Sequence, residues 1–236
     1  MEQASTLLFS KHWDVYQEII ANNYMLHREI ADYFERSFAH IEEKKGIRVL
    51  DLGCGDAGQI AGTLKFKQVD HYTGYDLSQP ALDLARANLQ DLPAIKEFVC
   101  GQMEVLIKQE QEHFQLVYSS YAIHHLQDSE KKQLLTDACR RLAKGGIIII
   151  IDVFRKQGQS RDEYLDSYIS WMGESWTAID LPGKELVWEH VRQFDFPTTI
   201  ENIIEWSAEL GLTVIKHFSP DGRHHMLTLK RTRYAE

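Results

Sequence analysis

Apolar positions along the chain fall into two rhythms. Short runs at residues 48–52, 71–75, 97–100 and 114–119 are rich in β-branched and aromatic side chains and read as strands. Between and after them, apolar residues recur three and four apart, the spacing of amphipathic helices. One such helix is expected to start at Ser78, with Pro80 in its first turn, and to bury Leu82, Ala85 and Leu89. Another, from about residue 130, presents Leu134, Leu135, Ala138, Cys139 and Leu142 on one face. It is expected to stop at Lys144-Gly145-Gly146, where a base suits the negative helix end and glycine permits a left-handed cap. Ile147-Ile-Ile-Ile-Ile-Asp-Val-Phe154 then reads as a central parallel strand, its β-branched run buried on both faces.

Two stretches depart from this alternation. Residues 11–45 space Trp13, Tyr16, Ile19, Ile20, Tyr24, Met25, Ile30, Tyr33, Phe34, Phe38 and Ile41 as one long or two short amphipathic helices. Residues 155–198 hold further helical segments with Tyr164, Tyr168, Trp171, Met172, Trp176, Leu186, Trp188, His190 and Phe194. The strand–helix rhythm resumes with a helix near 199–210, a stop at Gly211 and a strand at 212–218. Ser219-Pro220-Asp221-Gly222 is a turn, and 226–230 returns as a strand that so short a connection makes antiparallel. The pattern predicts an α/β fold: a doubly wound, seven-stranded, mostly parallel sheet with an antiparallel last strand. An N-terminal helical lid (1–45) precedes the main domain (46–236), which carries a helical cap as its 155–198 insert.

Composition narrows the function classes. Apolar residues make up 44% of 236, enough for an ordinary core, and no window of 18 is uninterruptedly apolar, so no membrane span is expected. The first eleven residues lack a basic region ahead of their short apolar patch and do not read as a signal peptide. A net charge of −9 argues against a grip on phosphate backbones; the densest basic runs, Lys44-Lys45, Arg140-Arg141 with Lys144, and Lys230-Arg231 with Arg233, read as solvated element ends. Cys54, Cys100 and Cys139 are too scattered for a disulfide framework or a zinc site and fit reduced thiols in a cytoplasmic protein. His224-His225 has no acid at ligand spacing and reads as surface or edge-strand packing, so no metal is expected.

The chemistry concentrates in Arg48-Val-Leu-Asp-Leu-Gly-Cys-Gly-Asp-Ala-Gly58, followed by Tyr75-Asp76. An apolar strand enters a glycine turn that opens a helix, and a carboxylate waits at the end of the next strand. Gly53 and Gly55 let the backbone turn tightly and approach a ligand, while Asp76 can accept both hydroxyls of a ribose. Such an edge suits an adenosine-containing cofactor. Gly53, Gly55 and Gly58 also satisfy G-x-G-x-x-G, with Asp76 at 76 − 58 = 18 positions further on, so a nicotinamide-dependent oxidoreductase enters as a rival reading.

Asp51, two residues before the first glycine, tips the balance. The phrase Val49-Leu-Asp-Leu-Gly-Cys-Gly55 resembles motif I of the class I S-adenosylmethionine-dependent methyltransferases, and the terminal hairpin resembles their Rossmann-like fold. Ala57 stands where the common family pattern has its third glycine. The resemblance implies S-adenosylmethionine as cofactor, with Asp51 near its methionine end, Asp76 on the ribose, and Cys100-Gly101-Gln102-Met103 near adenine. It places Asp51, Gly53, Cys54, Gly55, Asp76, Leu77, Gly101, Gln102, Met103 and Ser119 at the cofactor, and Tyr16 or Tyr24 near the methionine carboxylate. The segment Ser119-Ser-Tyr-Ala-Ile-His-His-Leu126 resembles motif IV of small-molecule members. There His124 could serve as general base or position the acceptor, Tyr121 could shape the site or react, and His125 is read as structural, packing inward or bonding to backbone. Tyr121, His124, Tyr168, Trp171 and Trp176, with Tyr164 beside them, are the candidates to line an acceptor site for a small molecule. A non-catalytic S-adenosylmethionine-binding module is the other alternative.

Overall fold

The computed structural model describes residues 13–37, 41 and 46–232. Of the positions singled out above, Phe38, Lys44, Lys45, Arg233 and the first eleven residues lie outside them. The described chain opens with two short helices, α1 (Trp13–Ala21) and α2 (His27–Ser37). It then alternates: β1 (Ile47–Leu52), α3 (Gly58–Leu64), β2 (Val69–Asp76), α4 (Gln79–Asn88), β3 (Ile95–Cys100), α5 (Met103–Gln109) and β4 (Phe114–Ser120). A 3-10 turn (Ile123–His125) leads to α6 (Asp128–Arg141) and β5 (Leu142–Val153). After α7 (Arg161–Ser175) and α8 (Leu181–Phe194), the sheet resumes through α9 (Ile200–Glu209), β6 (Leu212–Phe218) and β7 (His224–Arg231).

The seven strands form one sheet in the order β3-β2-β1-β4-β5-β7-β6. The pairs among β1 to β5 are parallel, and β7 is antiparallel to both β5 and β6. From β1 the chain winds outward to β3, then returns past β1 to β4 and winds the other way. That reversal leaves a crevice at the carboxyl ends of β1 and β4, the switch point where open α/β sheets place their ligands. Apolar side chains cover both faces: Leu50, Leu52, Val117, Ile148 and Ile150 meet α5, α6 and α9, while Val49, Leu116, Ile147 and Ile149 meet α2, α3 and α4. A third apolar cluster joins Ile19 of α1 to Tyr164, Tyr168, Met172, Trp176, Val187 and Val191 of the 155–198 segment. This cluster roofs the carboxyl edge.

Local chemistry explains the element ends. The Ser78 hydroxyl caps α4 by accepting from Ala81 N at 3.3 Å, with Pro80 in the first turn, and Leu82, Ala85 and Leu89 are buried as expected. Ser160 and Glu163 form a capping box at α7, and Asp180 and Thr199 cap α8 and α9. The Ser219 hydroxyl accepts from Gly222 N at 3.0 Å, and Gly222 adopts φ 72°, which closes the β6–β7 turn.

Two expectations are corrected. Helix α6 ends at Arg141, not at Gly146, and β5 begins at Leu142, which already pairs with Phe114. Gly145, at φ 78°, sits in a register shift between Phe114 and Leu116, so the glycines make an irregularity inside the strand instead of a helix cap. His224 and His225 are both buried, because β7 runs inside the sheet and β6 is its edge.

Candidate functional site

At the switch point, the turn after β1 is stitched to the end of β2: Gly53 N and Cys54 N both donate to Tyr75 O at 2.9 Å. Gly53 has φ 71°, and a Cβ there would lie 2.3 Å from Ala122 Cβ; Gly55 has φ 52° and open space where its Cβ would be. Gly55 therefore presents bare backbone to a neighbour. Ala57 takes the left-handed conformation (φ 53°) at the start of α3, where an L side chain costs about 1–2 kcal/mol. The Asp76 carboxylate beside this turn accepts from Gly55 N and Ser78 N, both at 2.8 Å. Burial raises its pKa, against the opposing effect of those two bonds.

A cavity of about 770 Å³ opens above this edge. Asp51, Gly53, Cys54, Gly55, Asp76, Leu77, Gly101, Gln102 and Met103 all line it. Gln102 stands at the start of α5 without a side-chain capping bond, which leaves its amide to the cavity. Ser119 does not line it. Strand alternation turns its buried hydroxyl to Leu52 O (2.8 Å), and Ser120 faces the cavity instead, donating to Gln59 Oε1 at 2.6 Å. Asp51 Oδ1 and Gln59 Nε2 are among the buried polar atoms lining the cavity that lack partners. The other Asp51 oxygen accepts from Tyr72 OH at 2.7 Å. Burial, opposed by that bond and reinforced by Asp76 and Asp56, pushes the Asp51 carboxyl up to about 7. Tyr16 also lines the cavity, near Asp56 and Asp76, whereas Tyr24 accepts from Ala178 N (2.8 Å) and stacks on Trp176.

The opposite wall comes from the segment after β4. Tyr121 lines the cavity with φ 50°, rare for a bulky side chain, and its hydroxyl donates to Met25 O in the α1–α2 connection. This bond ties the N-terminal helices over the site, a shaping role. His124 is buried, with Nδ1 2.6 Å from Asp152 Oδ1 and Nε2 3.6 Å from Asp195 Oδ1. Burial works against its charge, but the two carboxylates outweigh it and push the imidazole up to about 9. Both ring nitrogens face acids, so the neutral imidazole that a general base needs is not what the geometry offers. His125 bonds to backbone, its Nδ1 3.3 Å from Phe194 O, and the same nitrogen lies 3.4 Å from Asp195 Oδ1 while the ring borders the cavity beside His190.

Asp152, Asp195, Gln59 and Ser120 were not singled out in the sequence, and His190 only as one residue of a helical segment. Asp152 carried a signal, the one acid interrupting the apolar run of a central strand; Asp195 carried none, because only the fold brings it beside His124. The same convergence brings ligand atoms of His124, His125 and Asp195 within 4.8 Å of one another.

Tyr168, Met172 and Trp176 of the α7 region and Val187, His190 and Val191 of α8 complete the roof. Trp171 and Tyr164 do not reach the cavity; they stand behind Tyr168, with ring centroids 5.4 and 5.5 Å from it. Tyr168 OH lies 3.1 Å from Nε2 of buried His224, whose Nδ1 meets Asp221 at 2.8 Å, so that histidine anchors the roof to β7. Cys54 and Cys139 are buried, Cys100 is exposed, and all three are free thiols.

Residues 49–146, which span the glycine turn, Asp76 and the His124-His125 turn, match the model of a methyltransferase domain. This stretch of the chain is similar to a methyltransferase domain. A protein of Anoxybacillus flavithermus described as an uncharacterized methyltransferase is 28% identical over 126 residues, 53% of this chain and 56% of that one. An uncharacterized protein of Haemophilus influenzae is 28% identical over 148 residues, 58% of this chain and 53% of its own. The chain thus spans about half the length of these curated relatives. Among solved structures, magnesium protoporphyrin IX methyltransferase from Synechocystis, crystallised with SAH, superposes with a TM-score of 0.66 over 96% of this chain and 97% of that one, at 11% identity. An O-methyltransferase family protein from Burkholderia thailandensis gives 0.64 at 18% identity, over 88% and 56%. At these identities the likeness concerns the fold alone, here a seven-stranded, mostly parallel sheet with an antiparallel last strand.

Proposed function

We propose that this chain transfers a methyl group from S-adenosylmethionine to a small-molecule acceptor. The observation that carries the reading is the pair of unpartnered buried atoms beside the bare glycine turn, Asp51 Oδ1 and Gln59 Nε2. One acceptor and one donor in the same wall suit the ammonium and carboxylate of a methionine moiety, and a nicotinamide dinucleotide has no such zwitterion. In this reading Asp76, held by Gly55 N and Ser78 N, takes the ribose hydroxyls, and Gln102 and Met103 border the adenine. The matched domain and the neighbours solved with bound SAH support the same cofactor.

The sulfonium of that cofactor supplies an activated methyl group. What the chain has to add is alignment of an acceptor lone pair behind it and exclusion of water, and alignment alone can contribute about 7–11 kcal/mol. Tyr121, Tyr168, Met172, Trp176 and Val191 give the acceptor side apolar and aromatic walls, which favours an acceptor with a flat or apolar body. His124 then positions the acceptor and does not deprotonate it. Three free thiols fit a reducing compartment, and we place the protein in the cytoplasm; among the described residues no helix is long and apolar enough to cross a membrane.

Calorimetric titration of the wild type and of Asp76→Ala with S-adenosylmethionine, its demethylated product and NAD tests this reading. The first two should bind and NAD should not. Asp76→Ala should lose roughly 1–3 kcal/mol, about five- to 150-fold in affinity, because the ribose hydroxyls lose a charged acceptor. Tighter binding of NAD, or unchanged affinity in the variant, would overturn it. A chain that binds the donor but transfers no methyl group to any of a panel of aromatic hydroxyl, amine and thiol compounds would be the binding module instead.

A further inference from the structure

We propose that His124, His125 and Asp195 form a binding site for one zinc ion, open on its fourth side to the cavity. Three observations converge on it. The first is spacing: His124 Nε2 and His125 Nδ1 lie 3.6 and 3.4 Å from the same oxygen, Asp195 Oδ1. Ligand atoms bound at about 2.0–2.2 Å around a tetrahedral ion stand roughly 3.3–3.6 Å apart, so these distances are those of a tetrahedron's edges. The second is the state of that oxygen. Asp195 is 5% exposed and sits on a loop between two helices, yet Oδ1 has no hydrogen-bond partner of good geometry. Its nearest polar neighbours are the two imidazole nitrogens, at 3.4 and 3.6 Å, and a cation between the three atoms would give all of them a direct bond.

The third is the support behind the ligands. Asp152 Oδ1 holds His124 Nδ1 at 2.6 Å, and Asp152 Oδ2 accepts from His124 N at 3.1 Å. A carboxylate on the far nitrogen fixes the tautomer and aims Nε2, the arrangement found behind metal-bound histidines. Phe196 N donates to His124 O at 2.7 Å, which binds the Asp195 loop directly to the histidine turn. Asp195 and Asp152 together match the charge of a divalent ion. Lys131, the nearby buried cation, is turned to Leu126 O, Phe196 O and Asp128. His125 Nδ1 also lies 3.3 Å from Phe194 O, a contact it gives up when it ligates.

Two imidazoles and one carboxylate are a catalytic kind of zinc set, since three protein ligands leave one position for water or a bound molecule. All three residues border the cavity, so that position faces whatever occupies it. An oxygen or nitrogen of the acceptor could complete the set; this role rests on the methyl-transfer reading, whereas zinc binding does not.

The full chain, freed of metal by chelation and dialysis, should be titrated with zinc by calorimetry and with cobalt(II) by visible absorption. One equivalent of zinc should bind, and cobalt should give the intense bands of a four-coordinate ion. Asp195→Asn and His125→Gln should each weaken binding at least tenfold, and Asp152→Asn by about ten- to 100-fold, because the carboxylate that orients His124 is lost. His217→Gln should bind as the wild type does, because it disrupts only the other close histidine pair, His217–His225 at 2.9 Å. Asp76→Ala should lose the donor and keep the zinc, which separates failure of the methyl-transfer reading from failure of this one. With folding checked by circular dichroism, absence of stoichiometric zinc in the wild type, or undiminished zinc binding in both Asp195→Asn and His125→Gln, would overturn the proposal.

Discussion

Replacing Asp51 by asparagine should stabilise the protein above neutral pH while weakening its hold on the methyl donor. The Asp51 side chain is 1% exposed, and its carboxyl is pushed up from 3.8 to about 7, chiefly by burial. About three units correspond to roughly 4 kcal/mol at 1.36 kcal/mol per unit, an upper bound on the cost of charging this group in the folded state. The sign follows from proton binding. Between the unfolded value near 3.8 and the folded value near 7, the folded chain binds more protons at Asp51 than the unfolded chain does. Stability from this group is therefore complete below the lower value, falls as pH rises towards the upper one, and is level beyond it. Asparagine has no charge to bury and keeps an oxygen for Tyr72 OH.

The difference in unfolding free energy between variant and wild type should accordingly grow in the variant's favour by up to about 4 kcal/mol from pH 4 to 8. Urea unfolding at a series of pH values measures it, and other titrating groups cancel in the difference. Donor affinity should run the other way. An ammonium on Oδ1 needs the carboxylate, so wild-type affinity should climb with pH and level off near 7, while the variant should be weaker by about 1.5–3 kcal/mol and nearly insensitive to pH. A variant less stable than the wild type at every pH, or one that binds the donor equally well, would refute the reasoning.

Gly53→Ala should cost both stability and donor binding: its Cβ would lie 2.3 Å from Ala122 Cβ at φ 71°, and thermal melting with donor titration should show both losses. Trp176→Ala should lower stability by about 3–5 kcal/mol, as removing a fully packed aromatic does, and urea unfolding checks it. Because that side chain roofs the acceptor side and stacks on Tyr24, donor affinity should change much less than acceptor KM.

The sequence exposes what is local and periodic. The alternation of strands and helices, the cap at Ser78 and the Ser219–Gly222 turn are short-range chemistry, and each appears where expected. The glycine turn and Asp76 are legible for the same reason, since a φ 71° glycine and a carboxylate at a strand end are positions on one chain segment. What the sequence hides is convergence. Asp152 meets His124 across 28 residues, and Asp195 arrives from the far end of α8, so no spacing rule pairs them. Ser119 and Ser120 differ only in which face of β4 they occupy, a matter of register that two adjacent serines do not reveal. His224-His225 looks like an edge pair because the order of the last two strands, β7 inside and β6 outside, is a property of the assembled sheet.

The central claim is that this cavity holds S-adenosylmethionine by Asp76 and Asp51. A crystal structure of the chain with S-adenosylhomocysteine tests it most directly. The account predicts both ribose hydroxyls on the Asp76 carboxylate, the amino group on Asp51 Oδ1, the carboxylate at Gln59 Nε2, and the sulfur facing the Tyr121–His124 wall. A ligand bound elsewhere, or one lying in the cavity with its ribose away from Asp76 and its amino group away from Asp51, would contradict it.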